Sequence, residues 1–327
     1  VPQAAAPAPT TPAGHSPIAF SNDVLDAALS ASLQHAFGVH KAEPTLSTPD
    51  LQVIEQVAAA VEHGIRERDE FPRRPMLLPK LMQLLNDPET PRETLVRTIL
   101  EDPALAGGVL QQANSAYYRV SPARIDNVDR AVGLLGTDGI RRLMATAIMQ
   151  PVFRAPKGPF ESFAPTTWDY AQRSALAIEA YSQGRQHYDH LVAQLLAVVG
   201  PLARIVTFRL TMDAYLKSPE LTPRAEAFIR AVERFAPRVA LHIAHAWELS
   251  DASTTALREQ AERVPPPAMG ELGRAIYYAN LAAALAQVAE RDPQLTERLE
   301  TALRNQGLTR LEAELLWNAA ASHTETQ

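Results

Sequence analysis

Two pairs of histidines are the residues best spaced to hold a metal ion. His187 and His190 are three apart, and so are His242 and His245. On a helix that spacing sets both imidazoles of a pair on one face, where they could share a divalent cation. Asp189 lies inside the first pair, and in "HIAHAWE" Glu248 follows His245 by three positions. A metal-dependent phosphohydrolase site built from His187, His190, His242 and His245 requires the two pairs to converge in space. The plainer account is that a chain with nine histidines holds such pairs by chance, on solvated or half-buried helix faces.

The stretch "QQANSAYYRV", residues 111–120, is the next candidate. Asn114 and Ser115 are poor helix formers set in an apolar run, and two tyrosines follow. Asn114, Ser115, Tyr117 and Tyr118 could form a ligand or partner surface. Alternatively, the first two satisfy backbone groups where a helix ends while the tyrosine rings pack. Arg141 and Arg142, early in a helix starting near Thr137, could meet an anion or simply be solvated. The sequence contains no GxxxxGK[ST] loop, no GxGxxG after a strand, no GxSxG and no HExxH.

Composition narrows the remaining chemistry. There is no cysteine, which removes disulfides, thiol catalysis, Fe–S clusters and Cys-type zinc sites. A reducing compartment is compatible with that, and no signal-peptide pattern is present. The expected location is cytoplasmic, and no cofactor is expected. A net charge of -6 argues against bulk nucleic-acid binding, which needs a basic surface to displace counterions. The most apolar run, "LVAQLLAVVGPLARIVTF" at 191–208, is interrupted by Gln194, Gly200, Pro201 and Arg204. It falls short of the ~20 apolar residues of a membrane span and reads as a buried helix and a turn.

The elements that must position these residues read as helices throughout, so the expected fold class is all-α, two-lobed. Residues 1–17 are a Pro- and Ala-rich extended tail. "SNDVLDAALSASLQHAFG" is a helix capped by Ser21 and Asn22 and ended by Gly38. Leu25, Leu29 and Leu33 form its apolar stripe, ready to dock on a partner or on the domain itself. "TPRE" at 90–93 and "TRLE" at 309–312 read as capping boxes. "DP" at 102–103 and "TPRAE" at 222–226 start two more helices. Gly136, Pro151 and Gly200-Pro201 read as helix stops. Near the C-terminus, Leu311, Leu315 and Leu316 suggest the packing stripe of a final helix.

The run "LLPKLMQLLNDPETPRETLVRTILEDPALAGGVLQQANSAYY" is similar to the opening of the HDOD domain, a bacterial signalling module related to the HD phosphohydrolases. Leu78-Pro79, Leu84-Leu85, Asp87-Pro88, Asp102-Pro103 and the block Ala113 to Tyr118 follow the family order. "RAVGLLGTDGIRRLMATAI", Trp168, "LLAVVG" and "RVALHIAHAWELS" extend the resemblance over roughly residues 71–290. It implies a first helical lobe at 48–150 and an HD-like lobe at 151–290. The tail 1–17, a helix and linker at 18–47, and C-terminal helices at 291–327 flank them. "MQPVFRAPKGPFESFAPTTW" would be the hinge or cleft segment between the lobes.

In catalytic HD enzymes, histidines and aspartates hold metal ions that activate water against a phosphoester. Set against that pattern, a family histidine position is Tyr170 here, the His-Asp pair is Ala197-Val198, and a further histidine position is Ala236. Apart from the weak phenolic oxygen of Tyr170, these side chains have no lone pairs for a metal. The resemblance therefore implies a non-catalytic regulatory module, not an enzyme, acting through a signalling protein partner or a small ligand. The relocated histidine site and a plain helical scaffold are the alternatives.

Overall fold

Apolar residues at three- and four-residue intervals make helices with one buried stripe, and the computed structural model is built of them. It describes residues 23–39, 46–63, 77–101, 103–114, 118, 124–147, 160–183, 189–218 and 220–322. Among the described residues there are thirteen α-helices and no strand. In chain order they are α1 (Asp23–Ala36), α2 (Thr48–His63), α3 (Leu78–Asn86), α4 (Arg92–Leu100), α5 (Pro103–Ala113) and α6 (Val128–Ala147). There follow α7 (Phe163–Ser182), α8 (His190–Leu216), α9 (Ala225–Ala246), α10 (Asp251–Ala261), α11 (Glu271–Arg291), α12 (Thr296–Arg304) and α13 (Arg310–Ala321).

The centre is α8, which packs on α7 and α9, while α11 packs on α7. Its apolar stretch Val192–Leu216 has the length and composition to cross a membrane, but 83% of its most apolar window is buried inside the protein. It is the core helix. α3 to α6 pack on one another and reach the centre through α6. α2, which the sequence groups with that first lobe, packs on α8 and α9.

Helix α1 docks on the domain itself, against α11, α7 and α9. Leu33 is fully buried, Leu25 and Leu29 partly so. Phe37, just past its end, stacks on Phe163 with centroids 4.8 Å apart and also contacts Phe160, Phe208 and Phe228. Gly38 closes the helix at φ +69, with its amide on the His35 carbonyl and that of Val39 on Gln34. This paired bonding needs a left-handed residue, which glycine adopts without a Cβ clash. Ser21, Asn22, Asp102 and Pro151 lie outside the described residues.

Several local readings are corrected by the structure. The box at Thr309–Glu312 forms. The one at Thr90 does not: α4 begins at Arg92 with Pro91 as its cap residue, in an extended conformation that carries no side-chain cap bond. At 222–226 the start falls at Ala225, again uncapped. Gly136 breaks α6 with φ 65 and ψ 179, and helix resumes at once. Gly200-Pro201 is no stop. α8 runs straight through it, as α9 runs through Pro237. A proline inside a helix costs ~3 kcal/mol, but Leu202, Ala203, Phe235 and Val239 around these two are buried, and burial of the flanking turns outweighs the lost bond. On α13 the buried face is Ala313, Leu316, Trp317 and Ala320, while Leu311 and Leu315 are exposed. The helical repeat explains this: residues 313, 316, 317 and 320 share one face, and 311 and 315 lie on the opposite one.

Candidate functional site

The three helices that carry Tyr170, Ala197-Val198 and Ala236 meet around one cavity. Tyr170 of α7 and Ala236 of α9 both line it, while α8 contributes Leu196, Gly200 and Arg204. Ala197 and Val198 lie in the same turn of α8 and are fully buried. The cavity measures about 130 Å³. Its far wall is α11 with Ile276, Tyr277 and Asn280, and its roof is α1 with Leu25, Asp26 and Leu29. Pro201 and Pro237 also line it. Having no N–H, they leave the carbonyls of Ala197 and Glu233 without a helical donor beside the hollow.

The electrostatics are those of a cation already in place. Arg204 is 8% exposed, and its guanidinium lies 4.2 Å from the centroid of the Tyr170 ring. Among the described residues no carboxylate comes within ion-pair distance of it. Burial pushes the Tyr170 phenol above its ordinary value, and the Arg204 charge partly opposes that. The phenol donates to the Asn280 carbonyl at 3.4 Å. Asn280 Oδ1 is buried without a hydrogen-bond partner among the described residues.

A wider cavity of about 620 Å³ continues from the first and shares Asp26, Leu29, Arg204, Ala236, Pro237 and Arg263 with it. Arg230, Glu233 and Arg234 of α9 stand at its edge. Arg263 pairs with Asp26 of α1 at 3.2 Å.

The other sequence candidates fall elsewhere. His190 and His245 are exposed and His242 is half-buried, while His187 lies outside the described residues. No group of three or more His, Asp or Glu that could hold a metal occurs among the described residues. Asn114 is committed to the backbone: its amide donates to the carbonyls of Leu110 and Ile125, both at 2.7 Å, and its oxygen accepts from the Ile125 amide at 2.8 Å. It ties the end of α5 to the segment before α6, the local role open to it in the sequence. Tyr118 is half-buried. Ser115, Tyr117 and the side chains of Arg141 and Arg142 lie outside the described residues.

The HDOD domain profile matches residues 71–263, more than half of the sequence. The chain belongs to the HDOD domain family. No curated protein matches it in sequence. Its fold is similar to a crystal structure from Shewanella amazonensis SB2B, of a protein provisionally named a metal-dependent phosphohydrolase. That match has a TM-score of 0.56 at 14% identity, covering 85% of this chain and 100% of the other. It is also similar to an HDOD domain protein of unknown function from Geobacter sulfurreducens, with a TM-score of 0.54 at 18% identity, covering 83% of this chain and 96% of the other.

The cavity of this HDOD protein is walled partly from outside the matched segment, since α1 and α11 flank residues 71–263. Arg204 is the residue that sequence reading passed over as a mere break in an apolar run. Its signal was there: a lone arginine within "GPLARIVTF" must find a partner or a ligand when its helix is buried.

Proposed function

We propose that this HDOD protein is a non-catalytic regulatory module of bacterial signalling, which binds a partner protein or small ligand in the cytoplasm and relays the event by shifting its helices. The observation that carries this reading is the content of the central cavity: Tyr170 and Ala236 line it, Ala197 and Val198 are buried beside it, and Arg204 supplies positive charge. A divalent ion in the smaller cavity would be offered aliphatic side chains, phenols and the neutral amides of Gln260 and Asn280, with the one carboxylate among its lining residues, Asp26, engaged by Arg263. Its desolvation would go uncompensated, and Arg204 would repel it.

The experiment is metal analysis of the purified protein together with a phosphodiesterase assay on bis(p-nitrophenyl) phosphate with added Mn²⁺ or Mg²⁺. The expected result is no stoichiometric metal and no turnover. Stoichiometric metal with turnover lost in His242→Ala would overturn the reading in favour of the relocated histidine site.

A further inference from the structure

We propose that the cleft beneath α1 binds a small organic phosphomonoester, with Arg204 and Arg234 as its phosphate anchors. This names a ligand class for the non-catalytic reading above and rests on it. The wider cavity is lined by Arg204, Arg230, Arg234 and Arg263 against only Asp26 and Glu233. Two of the four cations are accounted for: Arg263 pairs with Asp26 at 3.2 Å and Arg230 with Glu233 at 3.9 Å. Arg204 and Arg234 have no carboxylate within ion-pair distance among the described residues, and each rests instead against an aromatic ring, Tyr170 and Phe235. A ring face compensates a desolvated cation by only ~2 kcal/mol, well short of what removing a charge from water costs. A buried guanidinium left in this state is a site waiting for an anion.

Arg204 is that buried guanidinium, and Arg234 stands exposed at the cavity edge; together they suit a dianion, and a phosphomonoester carries about -1.5 to -2 near neutral pH. Planar guanidinium forks bind phosphate oxygens in pairs. The adjoining smaller cavity selects the rest of the molecule. Its walls include Leu25, Leu196, Leu257, Met269 and Ile276, which favour a compact apolar or aromatic group. The unpartnered Asn280 Oδ1 adds one buried acceptor for a ligand hydroxyl or amine. Arg263 becomes a third anchor if the phosphate displaces Asp26, so that occupancy would be felt by α1.

The test is calorimetric titration of the full chain at low ionic strength with phenyl phosphate, inorganic phosphate and benzoate. Phenyl phosphate should bind saturably, at least tenfold more tightly than either of the others. Arg204→Met, which keeps the side-chain length without the charge, should weaken it at least tenfold. Arg234→Met, an exposed position that cannot unfold the core, should weaken it severalfold. Phenyl phosphate binding no tighter than inorganic phosphate, or equally well to both variants, overturns the proposal. Released phosphate is measured in the same samples. Release would sink the non-catalytic reading while leaving the site standing. Absence of both binding and release would sink the site and leave that reading intact.

Discussion

Asp50 and Arg224 are 174 positions apart in sequence, yet the Arg224 guanidinium donates to Asp50 Oδ2 at 2.6 Å. The Asp50 carboxylate is buried and also accepts from the Ser47 amide and hydroxyl and from the Tyr215 phenol. One carboxylate thereby caps the start of α2 and fastens it to the connection between α8 and α9. Asp50→Ala removes the capping contacts, about 1 kcal/mol, and the charge-assisted bonds to a half-exposed arginine. We expect a loss of roughly 2–3 kcal/mol in urea unfolding, with Asp50→Asn recovering only a part.

The Tyr215 phenol in the same cluster is pushed up from 10.0 to about 12, chiefly by burial, with the Asp50 charge adding to it. A raised folded value means that the folded state holds this proton more tightly than the unfolded chain. Its contribution is therefore complete below pH 10.0 and is lost as pH climbs towards about 12. The size is on the order of 2 kcal/mol. Tyr215→Phe should make unfolding stability less steep over that window, measured by urea titration at stepped pH against the parent. An unchanged slope would contradict the assignment.

Phe37 binds α1 to the body of the protein through rings drawn from three other parts of the chain. Phe37→Ala should cost about 3–5 kcal/mol by cavity formation. If α1 were an appended arm, the loss would be near zero. Deleting residues 1–46 should likewise lower the melting temperature sharply, because Ser32 of α1 also donates to the buried Gln287 of α11 at 2.6 Å.

Arg173 is the hub that holds the last helix. It is 1% exposed and reaches Asp169 at 2.8 Å, Glu290 at 2.5 Å and the Ala320 carbonyl at 3.0 Å. Gln287 donates to the same Asp169 carboxylate at 2.6 Å. Arg173→Met fills the volume but removes the counter-charge of Asp169 and Glu290 and the bond to the end of α13, and should cost about 3 kcal/mol. Hydrogen exchange should show α13 losing protection first.

Much of this protein was legible from its residues alone. Helical spacing, the box at Thr309 and the left-handed Gly38 are set within a few residues of chain, by local bonding that no distant contact needs to support. The family motifs from Leu78 to Tyr118 are equally local, and the domain match over residues 71–263 agrees with them. Readings that depended on the balance between a local cost and distant burial went the other way. Pro201 looked like a break because its missing N–H is visible in sequence, whereas the packing that carries α8 past it is not. Leu311 and Leu315 looked like a stripe until the neighbours of Leu316 and Trp317 chose the face.

Only the tertiary structure decided that Arg204 is buried over Tyr170 with no carboxylate within ion-pair distance among the described residues, and that α1, from outside the family match, roofs the cavity it faces. Helix formation is a matter of residues three and four apart, so it is written in the sequence. The surroundings of a charge are made by helices distant in the chain, and those meet only when the whole core is packed.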